Sequence, residues 1–303
     1  MLPSVFPTPA AVRSFNDNFH SYEPAFWELL YEGRRYLGRA TDAALRDRHR
    51  SVIRNMKALI CPYRHRIPIQ SPMSSWYWFR KEHETRLELF LRGLTNPSEV
   101  FDVAETSIGQ PKDDMVFRYA APDVIRDFMA GRIQVRPASF YHDTALGEAR
   151  SDHETEKSCT VPGQNMHMID RNGNKVAIIG DMRRTSSIHD YYVLCCSSEW
   201  DVSLKDEFGG ACAEVRDVEQ FAERLNKAFC GQLGGWDFYH IPMQYFDPLD
   251  GSLAQVIDPG IAKDFRFAYQ REYRFLWMHP LGHDACGIKH LDLGPLTDIA
   301  SRK

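Results

Sequence analysis

Apolar positions have two textures along the chain. From Pro24 to Ile60, and again over residues 74–94, they recur every three or four residues, the spacing of one helical face. Beyond about Asp114 they come in short blocks between Gly, Pro and Asp, the texture of strands joined by turns. Residues 1–23, rich in Pro, Ser and Asn, read as an irregular lead-in, after which Pro24 can open a helix. Gly33 and Gly38 weaken the middle of that stretch. From Thr41 the pattern is clean: Leu45, Val52, Ile53, Met56 and Ile60 fall near one face, and Arg46, Arg50, Arg54 and Lys57 on another. Pro62, Pro68 and Pro72 mark a loop. SSWYWFRKEHETRLELFLRGL then predicts a second long helix, capped by Ser74 or Ser75 and closed near Gly93. A linker follows to about Asp114.

The second texture predicts strands at 115–120, 133–141, 175–182, 191–198, 236–246 and 267–277, and helices at 121–132 and 217–233. The expected class is α+β: a helical N-terminal region over 1–110, then a mixed, mainly antiparallel β domain over 111–303. Within the last strand, QREYRFLW places Gln270, Glu272, Arg274 and Leu276 on one face and Arg271, Tyr273, Phe275 and Trp277 on the other. An amide, a carboxylate and a guanidinium in one row suit either a catalytic floor or a strand carboxylate paired with Arg271 or Arg274.

Composition sharpens this picture. Hydrophobic residues are 43% and aromatics 12% of 303, enough for a substantial core. Seven cysteines without framework spacing point to reduced thiols and a cytoplasmic protein. The first residues lack the pattern of a signal peptide, and no apolar run approaches the roughly 20 residues that cross a bilayer, so no membrane role is expected. The net charge of −4 hides an asymmetry. Residues 1–100 hold 15 Lys/Arg against 10 Asp/Glu (+5), and residues 101–303 hold 22 against 31 (−9). Residues 33–66 alone hold 10 Lys/Arg against 2 Asp/Glu, which suits either contact with nucleic-acid phosphates or a solvated helix face. Trp76, Tyr77 and Trp78 could stack on bases, although packing against the neighbouring helix suits them better.

Several chemistries find no motif. His142, His153 and His167, with Cys159 between them, lack the tight paired spacing of a zinc site, so no metal is expected. Cys195 and Cys196 lie in an apolar strand and read as buried thiols, not nucleophiles. No Gly-rich phosphate loop is present.

Three strands remain. MVFRYA carries Arg118 and Tyr119, YYVLCCSS ends in Ser197 and Ser198, and QREYRF carries Gln270 and Glu272. This order resembles the arginine–serine–glutamate class of ADP-ribosyltransferases, although Cys-Cys-Ser-Ser stands where that family has Ser-Thr-Ser. FRYAAPDVIRDFMAGRIQVRP is similar to the family's first strand, helix and second strand. The block also resembles a bacterial family of uncharacterised domains that finish on a Glu-Tyr-Arg strand, from which the turn at Tyr141-His142-Asp143 departs. The resemblance implies that NAD is a substrate, bound by Arg118, Tyr119 and Ser197. Glu272 would support cleavage of the nicotinamide–ribose bond and Gln270 would steer the acceptor. Residues 258–269, with Phe265 and Phe267, would recognise a macromolecular acceptor. It also implies a toxin or defence role, with a possible inhibitor partner. One alternative is a non-enzymatic nucleic-acid-binding protein built on the basic helix, and another is a toxin or defence factor with a different activity, such as hydrolysis through a site without a motif.

Overall fold

The computed structural model describes residues 23–95, 114–143, 152–163, 168–176, 178, 180–251 and 257–303. The lead-in over 1–22, most of the linker, His167, and residues 177 and 179 of the strand expected at 175–182 lie outside them. The protein is α+β: a helical N-terminal region followed by a mainly antiparallel sheet.

Helix α1 (Pro24–Arg34) begins at a proline and stops at Arg35, where the backbone turns left-handed. In α2 (Asp42–Leu59) the Thr41 hydroxyl caps Ala44 N at 3.2 Å, and the chain leaves the helix just ahead of Pro62. Leu45, Val52, Met56 and Leu59 are buried, and Arg46, Arg50, Arg54 and Lys57 are exposed. Helix α3 (Ser75–Leu91) is capped by Ser74 and is buried nearly all round, so even Lys81, Glu84 and Arg86 lie inside. Trp27, Val52, Met56, Trp76 and Trp78 share one hydrophobic cluster with Phe117, Tyr119, Cys212, Tyr245 and Phe265 of the following region. Helices and sheet are therefore packed through a common core.

The sheet is built around β7 (Tyr192–Ser197). Along one edge β7 pairs over its whole length with β12 (Glu272–Met278), from Glu272↔Ser197 to Trp277↔Tyr192, and β12 pairs onward with β9 (Asp237–Pro242). The other edge is divided. Its C-terminal end meets β1 (Val116–Ala120) only at Phe117↔Ser197, and its N-terminal end meets β2 (Arg132–Pro137) at Val193 and Tyr192. Between these contacts the sheet splits beside Leu194, Cys195 and Cys196. β1 continues into β8 (Ala211–Val215) and β14 (Ala300–Arg302), whereas β2 continues into β13 (Lys289–Asp292). Helix α4 (Pro122–Met129) links β1 to β2 across the split. One sheet face packs on α4 and α6 (Val218–Cys230) through Leu194, Phe221, Phe229, Phe275 and Trp277, with the Phe229 and Trp277 rings stacked 4.5 Å apart.

Several expected elements are corrected. Gln270 is not on a strand. Phe265–Gln270 forms a 3-10 segment, Arg271 takes a left-handed φ of 45°, and β12 begins only at Glu272. The strand expected at 133–141 ends at Pro137, where the ring removes a ladder donor, and Ala138–His142 is 3-10. The strand expected at 236–246 is broken at Met243 into β9 and β10 (Gln244–Phe246), because the chain changes partner there: Met243 N still bonds Glu272 O beside β12, whereas Gln244 N bonds Ile261 O and β10 pairs with Ala262–Asp264. At 175–182 there are two pieces, β5 (Lys175–Val176) and the start of β6 (Asp181–Ser187). α5 (Val202–Phe208), β3 (Glu156–Pro162), β4 (Met168–Ile169), β8, β11 (Ala262–Asp264), β13 and β14 were not expected from the sequence.

Candidate functional site

The split in the sheet opens a cavity of about 740 Å³, within the size range of small-molecule sites. Arg118 and Tyr119 of β1, Arg136 of β2, Cys195 and Ser197 of β7, and Gln270 and Glu272 all line it. All five residues singled out from the sequence thus border one space. Among the other lining residues, Arg136, Glu154 and Lys263 are not singled out by the sequence, and Tyr141 stands out there only as part of a turn. Lys263 comes from the three-residue β11 (Ala262–Asp264), and Glu154 from an irregular stretch, so neither belongs to a recognisable motif.

Glu272 lies at the floor and is 5% exposed. Its Oε1 accepts from Arg274 Nε and its Oε2 from Lys263 Nζ, both at 2.5 Å. Burial opposes its ionisation, but the charges of Arg274 and Lys263 outweigh that and hold the carboxyl well below its usual range. Arg274 in turn donates to Glu154 at 2.7 Å and to Tyr191 Oη at 3.0 Å. Lys263 Nζ also donates to Gln270 Oε1 at 3.1 Å, so the 3-10 turn still brings Gln270 and Glu272 to one cation. Arg271 leaves in the opposite direction, towards Asp201 at 2.6 Å. The ion-pair partner of Glu272 within its own strand is therefore Arg274 and not Arg271.

Arg118 Nη1 donates to Cys195 O at 2.6 Å across the split. The side chain supplies a hydrogen bond where the strands have parted. Its Nε is buried away from the cavity and has no hydrogen-bond partner among the described residues, while the residue as a whole borders the space. Tyr119 borders the cavity, but its ring packs in the core against Trp200 and its hydroxyl is committed, donating to Glu199 O at 3.1 Å and accepting from Asp201 N at 2.7 Å. The Ser197 hydroxyl lies 2.8 Å from Gln270 O and 3.0 Å from Glu199 O, and so fixes the turn that carries Gln270.

Burial pushes the Cys195 thiol well above its ordinary value and that of Cys196 up to about 12, which keeps both as thiols near neutrality. His142 and His153 rings lie 5.4 Å apart, and no group of three metal-ligating side chains forms among the described residues. No described helix is long and apolar enough to cross a membrane. Trp76, Tyr77 and Trp78 are all buried. On the basic face of α2, Arg50 is paired with Asp47, and Arg54 is bonded to Glu207 at 2.6 Å. No protein-family model, curated protein or solved structure matches the chain.

Proposed function

We propose that the cavity binds NAD, and that the protein cleaves its nicotinamide–ribose bond and transfers ADP-ribose to a macromolecular acceptor. The observation that carries this reading is the convergence of Arg118, Gln270 and an ionised Glu272 on one cavity at the split of the sheet. When the bond to ribose breaks, its electron pair goes to the ring nitrogen and cancels that atom's positive charge. The ribose carbon gains oxocarbenium character, which a fixed carboxylate stabilises better than water because it is already oriented. A nucleophile of the acceptor then bonds to that carbon and gives up its proton. Arg118, whose cationic side chain borders the cavity, suits the pyrophosphate. Ser197 acts through the Gln270 turn that it holds. In this reading the protein is a cytoplasmic effector of toxin or defence type.

A second reading is favoured by the pairing of Glu272 with two cations: the cavity binds an anionic ligand without breaking a bond. Incubation with NAD labelled in the adenylate half, together with total protein and nucleic acid, separates the two. Nicotinamide release and a labelled acceptor are expected. Saturable NAD binding with no release would leave only the binding role, and neither binding nor release would end the NAD reading and leave a different anion as the ligand.

A further inference from the structure

The floor of the cavity is held from behind by the helical layer. Asn55 is fully buried on α2 and commits its whole amide. One N–H goes to Ser51 O at 2.9 Å, and the other is shared by Phe265 O at 3.1 Å and Arg266 O at 3.3 Å. Its Oδ1 accepts from Tyr269 N at 2.6 Å. Reversing the amide would set its carbonyl against three others, so this network fixes the orientation. α2 holds the same segment at two further points. The Arg54 guanidinium lies 3.7 Å over the Tyr269 ring, whose hydroxyl receives Gln270 Nε2 at 3.1 Å. Arg271 Nη1 donates to Ala58 O at 3.1 Å. These contacts fall within the few residues before Glu272, and they surround a left-handed Arg271 that persists only where its neighbours over-determine it.

We infer that Asn55 is a positioning residue of the cavity: by gripping the 3-10 segment it sets where Gln270 and Glu272 stand against Lys263 and a bound ligand. The helical layer is then a working part of the site. The catalytic half of this inference rests on the NAD-cleaving reading above. The grip itself does not.

The test uses the full chain with Asn55→Ala, read by NAD turnover, thermal unfolding and amide hydrogen exchange. The expected result is a kcat lower by roughly ten- to a hundredfold, the range that a displacement of about 1 Å produces. KM stays close to the parent value, because the β1 and β2 walls are untouched. Exchange quickens at Tyr269, Arg271 and Glu272 while β8 amides keep their protection. If Asn55→Ala does not fold, Arg54→Ala removes the ring contact from the solvent side and should give a smaller fall in kcat at an unchanged unfolding temperature. Parental kcat in a loosened segment, or exchange that quickens uniformly over the sheet, would overturn the positioning role. A parent protein that releases no nicotinamide would remove the NAD reading alone. In that case local loosening at 265–272 still supports the grip, and unchanged exchange there overturns it.

Discussion

Of the buried charge clusters among the described residues, two make a close comparison, and only one of that pair borders the cavity at the split. On the helical side, Arg48 grips Asp247 with two hydrogen bonds of 2.7 Å, and Lys81 reaches Asp250 at 2.7 Å and Asp247 at 3.0 Å. Tyr36 joins Arg48 and Lys81 to Glu84. On the sheet side, Lys263, Glu272, Arg274 and Glu154 form a similar chain of alternating charge. In each cluster burial opposes ionisation of a carboxyl that neighbouring cations hold low, Asp247 in one and Glu272 in the other. A strongly shifted carboxylate is therefore not by itself a mark of chemistry. The clusters differ in access: Glu154, Lys263 and Glu272 border the 740 Å³ cavity, whereas none of Arg48, Lys81 and Asp247 does. One cluster ties the helices to the loop after β10, and the other presents its charges to whatever enters the split.

The comparison can be broken most sharply at Glu272. Glu272→Gln keeps the shape and removes the charge, and should lower NAD turnover by about 10²-fold or more while the far-ultraviolet dichroism stays that of the parent. Full turnover in the variant would move Glu272 into the same class as Asp247. Asp247→Asn is the counterpart. It leaves Arg48 and Lys81 short of a charge and should cost about 3–5 kcal/mol in denaturant unfolding, with NAD affinity unchanged in the folded fraction. Because Asp247 titrates below its unfolded value near 3.9, its contribution is complete above about pH 4–5 and is lost as the pH falls through the folded value. The variant should therefore show a shallower loss of stability on acidification below about pH 4. A stability-neutral Asp247→Asn would mean that the helical cluster is not a tie.

Arg118→Ala should raise the NAD dissociation constant roughly tenfold, the equivalent of one charge-assisted contact, as read by calorimetry. Equal affinity would leave Arg118 only its bond across the split. The smallest effect is expected on the basic face of α2. Changing Arg46, Arg50 and Lys57 together to Gln, with Arg54 left in place over the Tyr269 ring, should alter stability by less than about 1 kcal/mol per pair lost. If that face holds a nucleic-acid acceptor, each lost phosphate contact should flatten the plot of log affinity against log salt by about 0.7–0.9. A parent protein without salt-sensitive binding at low ionic strength would exclude this partner.

The helices, β1 and β7 are legible in the sequence because their apolar periods are long or their flanks carry Pro and Gly. The polar burial of α3 is not, since Lys81, Glu84 and Arg86 lie inside only because partners arrive from distant segments such as Asp247 and Asp250. β8 reads as ACAEV, too short and too weak in β-branched residues to stand out, yet it pairs with all of β1. The alternation through Gln270 and Glu272 predicts a common direction for the two side chains. The structure reaches it differently, through a turn that Asn55 holds from α2, and nothing local in QREYRFLW encodes that grip. Lys263, Glu154 and Tyr141 enter the cavity from strands and loops that no motif connects.

The central place of β7 also has a kinetic consequence. Its two edges are completed by strands that precede it, β1 and β2, and by one about eighty residues later, β12. Until Glu272–Met278 docks, one whole edge of an apolar strand stands open, and an open apolar edge pairs readily with other chains. Closing so long a loop is slow compared with forming helices α2 and α3. Refolding should pass through a species with helices formed and the sheet half-assembled, its yield falling as protein concentration rises.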